Sequence, residues 1–372
     1  MAKVKRKDFF KGLAAGTLSL PFMIKALRPG IAQHNAGPNI NLNKDYKWKM
    51  ATTWPPNFPV LGEGCVMLAA LVKKMSSGRL DIQVYGGGEL VPPLEVFDTV
   101  RSGAVELGHG AAYYWAGKLP AAQFFASIPF GMNAQQMNAW LIGGGGLKLW
   151  QELYADYGLI PIPAGNTAVQ MGGWFNKQVN EIDDLRGLKM RMPGIGGKVL
   201  SKAGGSPVLL AGGEIYTGLE RGIIDAAEWI GPYHDYIMGF HQIAKYYYTP
   251  GWHEMGTQLE LMINMKTYES LPTDLQAILQ SATYRVNHWM LSEFEAKNSE
   301  YLARIIESPG VEIRQFSNEI LEQLRLFTDE SIEELILTDA FTKRTYESFQ
   351  DFRNKISGWS AISEKVYYSD II

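Results

Sequence analysis

LDIQVYGGGELVPPLEVFDTVRSGAVELGH, residues 80–109, alternates between two kinds of local pattern. Leu80 to Tyr85 switch between apolar and polar side chains, which is typical of a strand with one buried face. Two prolines open a helix over residues 92–101, and a short strand follows at Val105 to His109. A strand, a helix and a strand in this order predict an α/β unit with a largely parallel sheet.

The same alternation continues on both sides of this segment. Upstream, Lys47 to Thr52 form a predicted strand and Leu61 to Met75 a predicted helix. Downstream, a second set of strands includes Ala168 to Phe175 and Leu188 to Met192, and Pro272 to Ile306 form one long helical pattern. A chain of 372 residues is too long for one ordinary core, so two α/β lobes and a long helix are predicted, with a cleft between the lobes.

The first 32 residues have the composition of an export signal rather than of a folded domain. A basic stretch that contains Arg6 and Lys7 precedes an uncharged run over residues 12–24, and small residues follow near position 31. The segment around Arg6 and Lys7 is similar to a twin-arginine signal with one arginine replaced, and general secretion stays an alternative. Residues 33–44 are polar and contain Gly and Pro, which indicates a linker.

The charge balance excludes one class of partner. Without residues 1–32 the chain keeps 28 basic and 37 acidic side chains, a net charge of about −9. A surface that acidic is a poor match for nucleic acid, which needs basic side chains along its phosphates. The one cysteine, Cys65, has no partner for an internal disulfide.

The catalytic motifs that the chain approaches are incomplete. His253 and Glu254 would begin a zinc-protease motif, but Thr257 stands where the second histidine is required. The glycine-rich stretch from Gly194 matches neither a phosphate loop nor a dinucleotide fingerprint. The absence of a complete motif favours a binding protein over an enzyme.

One arginine stands in an otherwise apolar strand pattern. Arg191 lies within residues 188–193, LKMRMP, directly before the glycine-rich helix start at Gly194. A guanidinium at a strand end can hold a carboxylate through two parallel hydrogen bonds. A surface charge on the strand explains the same pattern equally well, so the residues alone leave both readings open.

Two acidic residues stand close to apolar or aromatic segments. Glu228 follows the apolar run 223–227, and Glu254 lies in a loop that is dense in aromatic residues. A buried carboxylate is costly unless it is paired. Each glutamate therefore meets either a local Arg or Lys, or both face a bound hard cation, which prefers oxygen ligands.

Several stretches resemble the solute receptors of the tripartite ATP-independent periplasmic (TRAP) transporters. These stretches are GRLDIQVY (78–85), LRGLKMR (185–191) and EIYTGL (214–219). The resemblance implies a two-lobed periplasmic solute-binding protein fold with a long helix that spans both lobes. Lobe I would comprise residues 45–167 and 257–295, and lobe II residues 168–256 and 296–372.

Two further stretches, NTAVQMGGWF (166–175) and EWIGPY (228–233), resemble the branch of that family that binds 2-oxo or 2-hydroxy monocarboxylates with a metal ion. In that branch Arg191 would bind the carboxylate. The resemblance further implies that Gln170, Asn166 and Tyr114 contact the ligand. A sodium or calcium ion would be held by Glu228, the backbone carbonyl of Trp229, and Glu254.

Charge supports this implied cation. Arg191 alone leaves Glu228, Glu254 and an acid ligand with a net charge of −2 in a poorly solvated cleft, which is unfavourable. A cation or protonation of one glutamate would relieve it.

The resemblance also implies delivery to a TRAP membrane permease, and the helical end from Asn318 would allow a homodimer. The alternatives are a receptor for a dicarboxylate or sugar acid, a sensory receptor of the same fold, and an exported enzyme that uses Glu228 and Glu254 as an acid/base pair.

Overall fold

A computed structural model describes residues 44–371. The predicted export signal, residues 1–32, lies outside the described residues, as does the predicted linker up to residue 43. No helix in the described range is both long and apolar enough to cross a membrane.

The described residues form eleven strands and twelve α-helices, with short 3-10 turns between some of them. The strands are β1 (Tyr46–Thr52), β2 (Leu80–Tyr85), β3 (Leu107–Ala111), β4 (Leu159–Asn166), β5 (Gly173–Phe175), β6 (Lys189–Arg191), β7 (Ser206–Val208), β8 (Ala226–Ala227), β9 (Tyr246–Thr249), β10 (Gln258–Asn264) and β11 (Glu312–Gln315). The helices are α1 (Leu61–Met75), α2 (Val96–Arg101), α3 (Ala134–Gly143), α4 (Gly146–Ala155), α5 (Gly194–Lys202), α6 (Gly212–Glu220), α7 (Pro232–Ile237), α8 (Met265–Glu269), α9 (Thr273–Ile306), α10 (Asn318–Ile336), α11 (Ala340–Ser360) and α12 (Glu364–Val366).

The first sheet has the strand order β2-β1-β3-β10-β4. β1 runs parallel to β2 and β3, as the strand–helix–strand pattern predicts. β10 runs antiparallel to both of its neighbours, β3 and β4. The sheet is therefore mixed rather than largely parallel, because β10 enters it from the opposite direction after the chain has passed through the second sheet.

The second sheet has the strand order β11-β9-β5-β8-β6-β7. β5 is antiparallel to β8 and β9, whereas β6 is parallel to β7 and β8. The predicted strand from Ala168 to Phe175 is shorter than expected and contains only Gly173–Phe175. Ala168 has a φ of 60°, a left-handed conformation that ends extended pairing there.

The chain passes between the sheets at two neighbouring segments and along one helix. The backbone N–H of Thr167 donates to the carbonyl of Thr257 at 3.1 Å, which ties the two crossing segments together. Helix α9, 34 residues long, packs against α1 and β4 on the first side and against α7 on the second. The predicted two-lobed α/β fold with a long helix spanning both lobes is confirmed.

The lobe boundaries stay a prediction. Helix α11 packs against α3 and α4, which belong to the predicted lobe I, although residues 296–372 are predicted for lobe II. Trp140 of α3 shows this contact, because its indole N–H donates to Ser348 of α11 at 3.2 Å. We therefore favour placing residues 340–360 with lobe I.

Candidate ligand and cation site

Strand register places the main charged residues of the candidate site beside each other. β6 and β8 are parallel neighbours, and Arg191 at the end of β6 pairs with Ala227 at the end of β8. Glu228 is the next residue after β8, so its side chain leaves the sheet at the same edge as Arg191. The carboxyl ends of parallel strands in an α/β sheet are a common place for ligand sites.

Arg191 and Glu228 form a buried ion pair. Nη1 of Arg191 donates to Oε1 of Glu228 and, at 3.3 Å, to the Glu228 backbone carbonyl. The two side chains are 1% and 0% exposed, so Arg191 is not a surface strand charge. Burial works to lower the pKa of Arg191, but the neighbouring acidic groups, with Glu228 first among them, together outweigh burial and raise the pKa above its usual value. The guanidinium is therefore charged.

The rest of the guanidinium is only partly used. Nε donates to the carbonyl of Leu210 at 3.3 Å, and Nη2 donates to the hydroxyl of Tyr114 at 3.3 Å. The ring of Trp229 lies 5.2 Å from the guanidinium carbon and covers one side of it. One Nη2 proton has no hydrogen-bond acceptor in the part of the chain that the structure describes. Arg191 thus keeps a donor for a ligand while it holds Glu228.

Glu254 is a second buried carboxylate in the same cluster. Its Oε2 accepts hydrogen bonds from Gln170 Nε2 at 2.7 Å and from the hydroxyl of Thr257. Burial and, after it, the negative charge of Glu228 raise the pKa of Glu254 to about 7, against a lowering by His253. Gln170 is fixed by a further bond to the hydroxyl of Thr167 at 3.1 Å.

The cluster has the donors that a cation needs. Glu228, His253 and Glu254 each offer one ligand atom, and these three atoms lie within 4.8 Å of one another. Oε2 of Glu228 and Oε1 of Gln170 are buried without a hydrogen-bond partner among residues 44–371. Unpaired buried acceptors beside two carboxylates fit a positive ion. The backbone carbonyl of Trp229 as a ligand stays a prediction.

The structure brings Tyr114, Gln170, Arg191, Glu228 and Glu254 together, as the sequence predicts. Their assigned roles as ligand and cation contacts stay predictions.

Asn166 lies next to this cluster and is bonded to the crossing segment. It is fully buried, and its Oδ1 accepts from the backbone N–H of Ala168 at 3.0 Å. Its Nδ2 has no partner within the described range. No hydrogen bond of the described residues joins it to Arg191 or Glu254, so its role as a ligand contact stays a prediction.

His253 is the residue of this cluster that sequence reasoning missed. The sequence offers one signal for it, the dipeptide His253-Glu254, which is the start of an incomplete zinc-protease motif. The imidazole is 2% exposed, and its Nε2 lies 3.4 Å from Oε2 of Glu228.

Aromatic side chains from the loop after β1 pack against Trp229 of the cluster. The rings of Trp54 and Phe58 lie 6.4 and 6.1 Å from the ring of Trp229. The indole N–H of Trp54 donates to Nδ1 of His109 at 2.8 Å, which fixes its orientation. A cavity of about 460 Å³ reaches the cluster through Tyr114, which bonds to Arg191 and lies beside Trp54. Its lining includes Tyr113, Tyr114 and Gln123 from one side and Met192, Gly194 and Leu209 from the other.

A buried guanidinium beside two buried carboxylates is an arrangement that can hold a small ionised solute. The family described as bacterial extracellular solute-binding protein, family 7 (DctP) matches residues 50–339. The chain belongs to this family of TRAP solute receptors. It is therefore an extracytoplasmic receptor rather than an enzyme, and Glu228 and Glu254 are not an acid/base pair for hydrolysis.

Individual relatives are similar over most of their length. A monocarboxylate 2-oxoacid-binding periplasmic protein of Nostoc sp. is 40% identical over 365 residues, which covers 98% of each chain. A TRAP periplasmic solute-binding protein of Colwellia psychrerythraea, solved with calcium and pyruvate, is 44% identical, with a TM-score of 0.86 over 88% of this chain and 100% of that one. One of Pseudoalteromonas atlantica, solved with sodium and pyruvate, is 43% identical, with a TM-score of 0.86 over 88% and 99%.

Proposed function

We propose that this protein binds a 2-oxo or 2-hydroxy monocarboxylate together with a sodium or calcium ion and delivers it to a TRAP membrane permease. The observation that carries the proposal is the buried Arg191, which holds Glu228 through Nη1 while Nη2 makes a single bond, to Tyr114. The relatives solved with pyruvate and a hard cation support the same pairing of ligand and ion.

Charge favours a bound cation over a ligand alone. Arg191 supplies one positive charge against the two carboxylates of Glu228 and Glu254 in a site that is shielded from water. A monocarboxylate adds a third negative charge, and burying uncompensated charge costs several kcal/mol, on the order of 3–5. A cation bound with the ligand removes most of that cost.

The cluster suits one carboxylate better than two. Among the described residues, Arg191 is the single arginine in the cluster, and a dicarboxylate would need a second buried cation. Arg79, the other buried arginine, pairs with Asp274 elsewhere in the first lobe. The aromatic wall of Trp54 and Trp229 suits a small apolar substituent better than the many hydroxyls of a sugar acid.

Binding calorimetry tests the proposal. Pyruvate, lactate and longer 2-oxo acids are titrated in calcium buffer, in sodium buffer, and in a buffer with chelator and without sodium. We expect micromolar affinity or tighter with either cation, about −8 kcal/mol, and a loss of at least about tenfold without both.

The matched control is Glu260→Gln, which changes a buried carboxyl outside the cluster and is expected to bind as the unchanged chain does. Tighter binding of succinate or galacturonate than of pyruvate would contradict the ligand class. Binding that ignores removal of both cations would contradict the cation.

We also propose that residues 1–32 direct export through the twin-arginine pathway. The basic segment with Arg6 and Lys7, before an uncharged run, supports this. Export of the full chain in cells that lack the twin-arginine translocase would contradict it, and retention of the precursor there is the expected result.

A second copy of the chain is the proposed partner for the C-terminal end. Trp359, Ile362 and Tyr368 lie within ten residues of one another in the sequence and are 65%, 72% and 71% exposed, so the C-terminal end offers apolar side chains to a second copy. Light scattering should give twice the mass of one chain for the unchanged protein and a monomer for Trp359→Ser/Tyr368→Ser. A monomeric unchanged protein would contradict the homodimer.

A further inference from the structure

The loop of residues 54–60 connects β1 of the first sheet to α1 and packs against the second lobe. We call this loop the strap. The rings of Trp54 and Phe58 lie 6.4 and 6.1 Å from the ring of Trp229, which follows β8. Phe58 also meets the imidazole of His234 in α7 at a centroid distance of 4.7 Å. The strap is thus a segment of the first lobe whose apolar side chains contact the second.

Among the described residues, one hydrogen bond joins the strap backbone to the second lobe. Nε2 of His234 lies 2.9 Å from the carbonyl oxygen of Pro59. A carbonyl only accepts, so the ring donates through Nε2–H. The side chain of His234 is fully buried, and burial lowers its pKa to about 3, so the ring is neutral. Its Nδ1 has no hydrogen-bond partner within residues 44–371, so this bond to the strap is the polar contact of the ring there.

The strap ends in a strained turn. Val60 has a φ of 59° and a ψ of −58°, and the N–H of Leu61 donates to the carbonyl of Pro59 at 2.6 Å. These angles and this bond define a γ-turn with positive φ, which is rare and which a β-branched residue adopts least readily. Such backbone persists only where the surrounding structure holds it, and it is frequent in segments that switch. The Pro59 carbonyl at this turn is the group that His234 binds.

The turn is held from both lobes. On the first side, the N–H of Val60 donates to Oε2 of Glu63 at 3.0 Å, and the Val60 side chain is fully buried. On the second side, His234 packs against Phe294 of α9 at a centroid distance of 4.7 Å. Helix α9 packs against both α1 and α7. The bond between His234 and Pro59 therefore joins two elements that rest on the same long helix.

The two partners of this bond belong to different lobes, so a rotation between the lobes changes their distance directly. A contact beyond about 3.5 Å is no longer a hydrogen bond, so a small opening removes it. The packing of Phe58 on His234 would be lost in the same movement. The strained turn at Val60 would then lose its support from the second lobe.

We propose that His234 is a positioning residue that fastens the strap across the cleft, and that this contact slows the escape of a bound solute. The inference needs no particular solute or ion, and it rests on the proposed function only in the choice of pyruvate as a probe. His234 acts on the solute through the position of the strap and not by touching it.

Dissociation kinetics test the fastening. Stopped-flow binding of pyruvate in calcium buffer is measured for the unchanged chain, His234→Phe and His234→Gln. His234→Phe keeps a ring against Phe58 but has no donor, and we expect pyruvate to dissociate about three- to tenfold faster, the effect of one hydrogen bond. The association rate should stay within about twofold. His234→Gln keeps an N–H donor and should restore the dissociation rate to within about twofold.

The matched control is His241→Phe, the same substitution in a histidine that stacks on Tyr236. It should leave both rates unchanged. If His234→Phe does not fold, Phe58→Leu tests the strap from its own side, because Phe58 is only half-buried, and it should also speed dissociation at least about threefold.

The distance between the lobes gives a readout that a purely structural role would not change. Nitroxide labels are attached at Lys74→Cys after the last turns of α1 and at Arg221→Cys after α6, which are both exposed, whereas the native Cys65 is fully buried. Electron–electron double resonance then gives the ratio of short- to long-distance forms in the ligand-free chain. We expect His234→Phe to lower this ratio about three- to tenfold and His234→Gln to leave it unchanged.

The outcomes separate this inference from the proposed function. An unchanged dissociation rate or an unchanged distance ratio in His234→Phe would overturn the inference and leave pyruvate binding standing. Equal effects of His234→Phe and His234→Gln would also overturn it, because the donor would then not matter. If pyruvate does not bind with either cation, the proposed function fails and the ligand-free distance ratio decides: a lower ratio in His234→Phe supports the strap, and an equal ratio overturns it.

Discussion

Glu254 and Glu260 are two buried carboxyl groups that lie close in sequence and whose pKa is raised to about 7. Glu260, in the first sheet, accepts hydrogen bonds from Trp115 Nε1 at 2.6 Å and from the hydroxyl of Tyr154 at 3.0 Å. Burial is the only influence that raises its pKa, and these two donors lower it. Glu254 instead faces a second carboxylate and lies beside an arginine and a histidine.

The comparison shows that a raised pKa does not by itself mark a functional group. Glu260 is satisfied by neutral aromatic donors, which is how a carboxyl group is accommodated inside a core. Glu254 belongs to a cluster whose charges do not balance and whose acceptors lack partners. The neighbouring groups, rather than burial, distinguish Glu254, the acid of the candidate site, from Glu260, the acid of the core.

The largest effect is expected from removal of Arg191, the positively charged residue of the cluster that contains Glu254. Arg191→Met leaves Glu228 buried without its partner, which should lower the free energy of unfolding by about 3–5 kcal/mol. Pyruvate affinity should fall at least about a hundredfold, because the carboxylate anchor is gone. Arg191→Lys keeps the charge without the planar fork and should fold better than Arg191→Met but bind weakly. Urea unfolding and calorimetry measure both, and unchanged pyruvate binding by Arg191→Met would remove the anchor role.

A matched pair of isosteric changes tests the two acids directly. Glu254→Gln removes a cation ligand and should weaken pyruvate binding at least about tenfold in calcium buffer. Glu260→Gln keeps a carbonyl acceptor for Trp115 and Tyr154 and should leave affinity within about twofold of the unchanged chain. Calorimetry in one buffer gives both values. Equal losses in the two variants would mean that the comparison between site acid and core acid is wrong.

The free energy of unfolding should depend on pH through Glu260. Its pKa is raised from 4.5 to about 7 in the folded state, so folding favours the protonated form. The stabilisation is fully present below pH 4.5 and is lost as the pH rises through about 7. The unfolding free energy of the unchanged chain should fall relative to Glu260→Gln by up to about 3 kcal/mol over this interval. Urea unfolding at several pH values checks this, and a constant difference would refute the raised pKa.

The smallest effect is expected at the edge of the cluster. Tyr114→Phe removes a hydroxyl that accepts from Nη2 of Arg191 at 3.3 Å, and Leu210 and Glu228 still hold the guanidinium. We expect pyruvate to bind about three- to tenfold more weakly, since one hydrogen bond contributes about 0.5–1.5 kcal/mol. Tyr154→Phe, which removes a hydroxyl beside Glu260, is the control and should leave calorimetric affinity unchanged. A hundredfold loss in Tyr114→Phe would make Tyr114 a principal ligand contact.

The fold was largely predictable because its signals are local. The alternation in residues 80–85 and the uninterrupted helical pattern of residues 273–306 depend on neighbouring side chains alone, and both elements are present. The direction of β10 was not predictable, because strand direction depends on where a distant segment enters the sheet. The late start of the predicted strand, at Gly173 instead of Ala168, likewise follows from a left-handed backbone at Ala168 that an alanine does not signal.

Most residues of the candidate site could be predicted from the sequence, but the contacts between them could not. Arg191 and Glu228 are 37 residues apart, and only the register of β6 with β8 places them together. Sequence motifs identify residues by their spacing along the chain, and His253 belongs to no complete motif because Thr257 stands at the position of the second histidine. The contact between His253 and Glu228 joins two separate loops, so no spacing rule could have found it.

The bond between Thr167 and Thr257 has a mechanical consequence. Gln170 and Glu254 each lie three residues along the chain from one of these threonines. A rotation of one sheet against the other about these strands would displace the side chains near the axis little and the distant rims of both lobes by much more. Small displacements of ligand contacts near Thr167 and Thr257 would therefore accompany large displacements at the rims of the lobes. A membrane partner resting on the rims could then sense whether the receptor is loaded without touching the solute.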